Sequence, residues 1–130
     1  MMDTNVCIDL IRRRSANILR HLQVLMPGDV CISVITLGEL EHGVARSASP
    51  DRNRLALAEF IAPITVLPYD DSAAKVYGHV RAQLEADGKG IGALDTLIAA
   101  HALAADLTLV TADEREFRRV PRLRVVNWSA

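Results

Sequence analysis

Apolar residues along this chain fall into two recurring patterns: short consecutive runs, and longer stretches with helical spacing. The short runs read as buried parallel strands, because a strand covered on both faces needs no polar alternation. They are a stub at Met1-Met2, then Val30 to Ser33, Ile64 to Leu67, Thr108 to Val110 and Arg124 to Asn127. The longer stretches read as helices. The first spans about Thr4 to Arg14, with Val6, Ile8, Leu10 and Ile11 as its apolar surface and arginines at its C-terminal end, where they favour the macrodipole. A second runs from about Ala16 to Met26 and stops at Pro27-Gly28, and Ser33 caps a third through Val34 to Ala45. Ser49-Pro50 starts a fourth, since proline suits the first helical turn. Asp70-Asp71-Ser72 opens a fifth that ends near Asp87-Gly88; a hinge-like loop from Gly88 to Gly92 leads to a sixth, alanine-rich helix from about Asp95 to Ala105.

Strands separated by helices predict an α/β fold: a three-layer α/β/α domain with a mainly parallel sheet of about five short strands. The length of 130 residues, without repeats or linkers, predicts a single domain over residues 1–130. Although half the residues are hydrophobic, no run approaches the roughly 20 residues of a membrane helix, and acids rather than a basic n-region stand at the N-terminus. The expectation is a soluble cytoplasmic protein with no membrane partner. Cys7 and Cys31 lack metal or redox spacing and are expected to be buried thiols.

Net charge is −1, from 15 basic and 16 acidic residues, which excludes a generally cationic surface. The bases are nonetheless grouped, as Arg12 to Arg14, as Arg46 with Arg52 and Arg54, and as Arg115, Arg118, Arg119, Arg122 and Arg124. Such groups fit either a local phosphate-binding rim or solvated helix ends.

In open α/β sheets, ligands bind beyond the carboxyl ends of the strands. The polar residues placed there are mostly acids. Asp3 follows the first stub, Glu39 lies in the helix after Val30 to Ser33, Asp95 opens the alanine-rich helix, and Asp113 follows Thr108 to Val110 by way of Thr111. Together they would repel and raise one another's pKa, a conflict that a divalent cation resolves. Magnesium, with manganese as the alternative, prefers such hard oxygen donors and activates water against phosphodiesters. Asp3, Asp95 and Asp113 serve equally well as helix caps, and Asp113 with Glu116 matches a capping-box variant. Glu39 differs: a carboxylate among Ile35, Leu37, Leu40 and Val44 requires a partner, a metal or an outward-facing register. Thr4, Asn5 and Thr111 adjoin the acids and are candidates for orienting them. His42 and His101 lack a second histidine at metal spacing and are set aside as packed or solvated residues.

Four ordered blocks resemble the PIN-domain toxins of the VapC type. They are Asp3-Thr4-Asn5, Ser33-x-Ile35-Thr36-x-x-Glu39-Leu40, Gly92-x-x-Asp95-x-x-Ile98-Ala99-x-His101-Ala102 and Val110-Thr111-x-Asp113-x-x-x-Phe117. The closing Pro121-x-Leu123-Arg124-Val125-x-Asn127-Trp128 is similar as well. The resemblance covers the whole chain and is nearest to the initiator-tRNA-specific endonucleases. It implies Mg²⁺-dependent cleavage of RNA, with Asp3, Glu39 and Asp95 as the metal-binding acids and Asp113 where the family uses Asp or Asn. It also implies a homodimer, a VapB-like antitoxin that covers the site, and operator DNA bound only through that antitoxin. Family members carry a fuller first strand ahead of the Asp-Thr-Asn motif. With only Met1 and Met2 there, the expectation is a poorly paired sheet position and a terminal amine near Asp3.

Two other classes compete. A phospho-receiver domain shares the length and the acidic pocket, but it needs a phospho-acceptor Asp after the third strand and a lysine after the fifth. Pro68 stands at the first of these positions, and the only lysines are Lys75 and Lys89. A non-catalytic binding module, with acids as caps and arginines as a partner surface, predicts neither metal response nor RNA cleavage.

Overall fold

The computed structural model describes residues 1–26 and 28–130; the expected helix stop at Pro27 lies outside them. Along the described residues the elements are α1 (Thr4–Ile11), α2 (Ala16–Gln23), β1 (Cys31–Ser33), α3 (Val34–Ala45), α4 (Pro50–Ile61), β2 (Thr65–Leu67), α5 (Asp71–Ala86), α6 (Ala93–Ala104), β3 (Leu109–Val110), α7 (Glu114–Phe117) and β4 (Val125–Val126). Expected local chemistry sets several boundaries. The Ser33 hydroxyl accepts from the Ile35 amide and caps α3, Pro50 occupies the first turn of α4, and Asp70 accepts from the Ala73 amide to start α5. Several helices differ from expectation: α2 ends at Gln23 instead of near Met26, and the short α7 is additional to the six expected helices. Helix α1 ends before its arginines because Arg13 turns to φ 52°, and α6 starts at Ala93, capped by Gly92, so Asp95 lies within the first turn rather than ahead of it.

The strands form two parallel pairs, β1 with β2 and β3 with β4. Residues Met1 to Asp3 join the pairs. The Met2 amide donates to the Cys31 carbonyl at 3.0 Å, the Val110 amide to the Met1 carbonyl at 2.8 Å, and the Asp3 amide to the Val110 carbonyl at 3.0 Å. Met2 thereby makes a parallel bridge with Val110. Instead of about five strands, the described residues form four strands and this bridge, in the spatial order β2, β1, Met1–Asp3, β3, β4. The expectation of a poorly paired position is corrected, since the short segment bonds on both sides. The terminal ammonium donates to the Thr108 carbonyl at 2.8 Å.

Adjacent strand residues point to opposite faces, which generates two cores. Met1, Cys31 and Leu109 pack with Val80 and Leu84 of α5, Ile98 of α6 and Phe117 of α7. Their neighbours Met2, Ile32 and Val110 pack on the other face with Val6 of α1, Ile18 of α2, Leu40 of α3 and Leu57 of α4. This is the three-layer arrangement. Cys7 and Cys31 are buried free thiols, and no helix among the described residues is long and apolar enough to cross a membrane.

Candidate active site

Parallel strands place the residues that follow them at one edge of the sheet, and the first of these is Asp3. It is only 4% exposed. Its Oδ1 accepts from the Val6 amide at 2.9 Å, capping α1, and its Oδ2 accepts from the Thr111 hydroxyl. Burial raises the Asp3 pKa above the ordinary carboxylate value, and the negative charges of Asp113 and Glu39 push it further; the Thr111 and Val6 hydrogen bonds oppose this. Capping and site chemistry therefore coexist at Asp3, one oxygen serving each.

Glu39 is half-buried on α3. The partner its position demanded is Thr4, whose hydroxyl donates to Glu39 Oε1 at 2.6 Å. Buried Thr36 stands beside the same hydroxyl, at 3.3 Å. Thr36 lies one helical turn before Glu39, and that three-residue spacing was the available signal for it.

Asp95 makes no cap hydrogen bond, since Gly92 occupies the cap position of α6. Its pKa is pushed up to about 7, first by burial, then by the charge and hydrogen bond of Glu116, and then by the charges of Glu39 and Asp3. Glu116 is thus a member of the cluster that sequence reasoning treated only as a capping residue. It lies on α7, and its Oε1 also accepts from the Gly92 amide at 2.9 Å. The sequence signal was its position one turn after Asp113, on the face that Asp113 caps.

Asp113 is exposed and caps α7 by accepting from the Glu116 amide at 3.3 Å, while its charge still acts on Asp3. Thr111 is fully buried. Its oxygen accepts from the Asp113 amide at 3.0 Å while its hydrogen goes to Asp3, so it orients one acid and anchors another. Asn5 is exposed and is not drawn into this network. His101, set aside as a packed residue, is buried and bonded through Nδ1 to Ser33 Oγ at 2.8 Å.

Comparison with known proteins decides the family. The PIN domain model matches residues 1–123. The tRNA(fMet)-specific endonuclease VapC of Shigella flexneri is 41% identical over 129 residues, covering 99% of this chain and 97% of the relative. This chain is a VapC-family PIN domain. Ribonuclease VapC2 of Haemophilus influenzae is likewise 41% identical, over 98% of this chain and 96% of its own. Among solved structures, DNA-bound VapBC from Salmonella typhimurium matches with a TM-score of 0.94 at 39% identity, covering 98% of this chain and 96% of that one. VapBC2 from Rickettsia felis, bound to a DNA fragment from its promoter, matches with a TM-score of 0.92 at 35% identity, over 98% and 97% of the two chains.

Whether this PIN domain suits a divalent cation rests on its donors and its charge balance. Asp3, Glu39, Asp95 and Glu116 offer only hard carboxylate oxygens, as magnesium and manganese prefer. Among the described residues the ion pairs lie elsewhere, at Arg54–Glu41, Arg81–Glu85, Arg118–Glu114 and Arg124–Asp106. The cluster therefore lacks a basic partner, and its negative charge must be relieved by protons, as the raised pKa values of Asp3 and Asp95 express, or by a cation. Among the described residues no three acidic, histidine or cysteine side chains already stand together as a metal-holding group. The donor chemistry and charge fit the ion; Asp3 is oriented by Thr111 and Val6, and Glu39 by Thr4.

Proposed function

We propose that this VapC-family domain is a metal-dependent endoribonuclease and the toxin of a type II toxin-antitoxin pair. The observation that carries this reading is a set of mutually repelling carboxylates, one of them 4% exposed and another with its pKa raised to about 7, with no basic side chain paired to them among the described residues. Asp3, Glu39 and Asp95 would hold Mg²⁺, or Mn²⁺ in its place, with Glu116 beside Asp95, while exposed Asp113 would hold a second ion or a bound water. When bound, the ion supplies an activated water and stabilises charge on the phosphoryl and leaving oxygens.

The remaining work belongs to the chain. Thr111 fixes the Asp3 carboxylate and Thr4 fixes Glu39, so both keep one rotamer as the ion and substrate exchange. Asp95 carries the site's pH dependence, because a proton and a cation compete for the same oxygens. Single-stranded RNA suits such a site, since an unstacked backbone can be drawn into a shallow acidic pocket.

The names of the Shigella flexneri and Salmonella typhimurium relatives specify tRNA(fMet), which makes initiator tRNA, in its anticodon region, the first substrate to test. Structural neighbours described as VapBC complexes support a VapB-like antitoxin as partner. A homodimer, operator DNA bound only through the antitoxin, and a cytoplasmic location complete the reading.

The experiment is sequencing of RNA ends after brief induction in cells, beside Asp3→Asn and Asp95→Asn controls. Discrete new ends with wild type and none with folded variants are expected; equal cutting by either purified variant removes the site assignment. One observation favours the non-catalytic alternative, namely that no ready metal-holding trio exists among the described residues. That alternative predicts no Mg²⁺-dependent thermal shift, so the shift separates the two.

A further inference from the structure

A groove of about 580 Å³ runs between α1, α3 and α4, and Glu39 belongs to its lining. The same wall that holds one of the cluster's acids therefore continues into a second surface. Its other polar lining includes Arg12, Arg46, Arg52 and Asn53, over an apolar floor that includes Leu57. All three arginines are exposed. None has a carboxylate partner within ion-pair distance among the described residues, although Arg54, two positions after Arg52, pairs with Glu41 at 3.1 Å.

Local structure explains two of the three. Arg12 and Arg46 are the C-cap residues of α1 and α3, where a cation is favoured by the helix dipole. Arg52 has no such reason. It stands in the first turn of α4, at the positive end of the dipole, where a cation is disfavoured. Three like charges converge on one concave surface, one of them against its own helix, and a surface of this kind concentrates anions.

We infer that this groove is the track for the RNA backbone, with Arg12, Arg46 and Arg52 bonding phosphates on one side of the cut and the apolar floor receiving a base or ribose. The inference rests on the nuclease reading above and adds the direction in which the strand leaves the acids. An acidic peptide would also meet the arginines; a phosphodiester strand is favoured because Glu39 is shared by the groove and the acidic cluster, so a strand lying in the groove leads toward the carboxylates. Guanidinium forks suit phosphate oxygens, and an apolar floor beneath them suits unstacked bases.

The test is the binding of a short, fluorescein-labelled, mixed-sequence single-stranded RNA, followed by anisotropy over a range of KCl concentrations. The protein carries Asp95→Asn, with or without Arg46→Gln and Arg52→Gln. For single strands the slope of log affinity against log salt flattens by about 0.7 for each phosphate contact removed, so the two changes together should flatten it by about 1.4. Arg122→Gln, on a different groove beside Val76 and Leu103, should leave the slope in place.

An unchanged slope in the double arginine variant overturns the track, as does a wild-type groove that binds no RNA; both outcomes leave the groove to a protein partner. The two readings fail separately. If wild type cuts RNA in Mg²⁺ while the arginine variants bind with the full slope, the nuclease stands and the track falls. If the slope flattens but no metal-dependent cleavage occurs, the groove stands and the nuclease falls.

Discussion

The Thr111 hydroxyl donates to the carboxylate of Asp3, 108 positions away in the chain, while its oxygen accepts from the Asp113 amide. One fully buried side chain thus sets the orientation of the most enclosed acid and the start of α7. Thr111→Val keeps the shape and removes the donor. Leaving a buried carboxylate oxygen unpaired should cost about 1–3 kcal/mol in denaturant unfolding. Single-turnover RNA cleavage should fall by about 10- to 100-fold, as losses of ligand-orienting partners typically do. Thr111→Ser should restore most of both. A Thr111→Val protein that cuts at the wild-type rate would show that the hydroxyl does not position Asp3.

The layered fold was legible because its signals are local. Consecutive apolar pairs such as Met1-Met2 and Leu109-Val110 fix two cores by strand geometry alone, and Ser33, Pro50 and Asp70 mark helix starts by capping chemistry. The cluster was legible to the extent that Asp3, Glu39 and Asp113 come after strand segments, whereas Asp95 follows α5 and was found by its place at the start of a helix. What sequence could not supply was rotamer and cross-chain pairing. Glu116 and Asp113 both stand where α7 begins, and it is the hydrogen bond from the Gly92 amide, just ahead of α6, that holds Glu116 beside Asp95. The same limit applies to Met1 to Asp3. A stub of two apolar residues reads as a strand but not as a paired interior one, and its place is fixed by hydrogen bonds with Cys31 and Val110 that no local pattern records.

Asp95 makes the metal-free protein sensitive to alkali. Its folded pKa, about 7, lies above the ordinary value of 3.8 for an aspartate, so the folded state binds the proton more tightly than the unfolded chain. The stability this gives is complete below about pH 4 and declines as pH rises toward 7. The melting temperature of metal-free wild type, measured against Asp95→Asn, should therefore fall across that window and then level off. Added Mg²⁺ should raise wild-type stability increasingly as pH rises, and should do much less for Asp95→Asn. A pH-independent difference between the two proteins contradicts the assignment.

Glu116→Gln separates charge from hydrogen bonding. The amide oxygen can still accept from the Gly92 amide, but the like charge that raises Asp95 is gone. The pH midpoint of the Asp95 effect should move down, and the pH at which half-maximal cleavage is reached should move down with it. Activity at neutral pH should change by no more than about tenfold, because weakened metal holding and easier deprotonation of Asp95 act in opposite directions. The pH–rate profile is the measurement, and a midpoint identical to wild type would remove Glu116 from the cluster.

His101 joins the two helices that carry Glu39 and Asp95. It lies on α6, is 4% exposed, bonds Ser33 Oγ at 2.8 Å through Nδ1, and meets the Tyr69 ring edge-on at 4.9 Å. Burial lowers its pKa below the ordinary 6.5, against the opposing effects of Asp70 and the Pro68 carbonyl. The folded state therefore favours the neutral ring, with the Ser33 hydroxyl donating to Nδ1 and the other ring nitrogen free to donate to Pro68. Its sign is opposite to that of Asp95. The stability it contributes is present above about pH 6.5 and is lost as pH falls through the depressed folded value, because the unfolded chain binds the proton more readily. His101→Leu should lose about 1–3 kcal/mol at neutral pH through the abandoned Ser33 and Pro68 partners, and the deficit against wild type should narrow on acidification. Denaturant unfolding of both proteins across that pH range checks it, with a deficit that widens in acid as the contrary result.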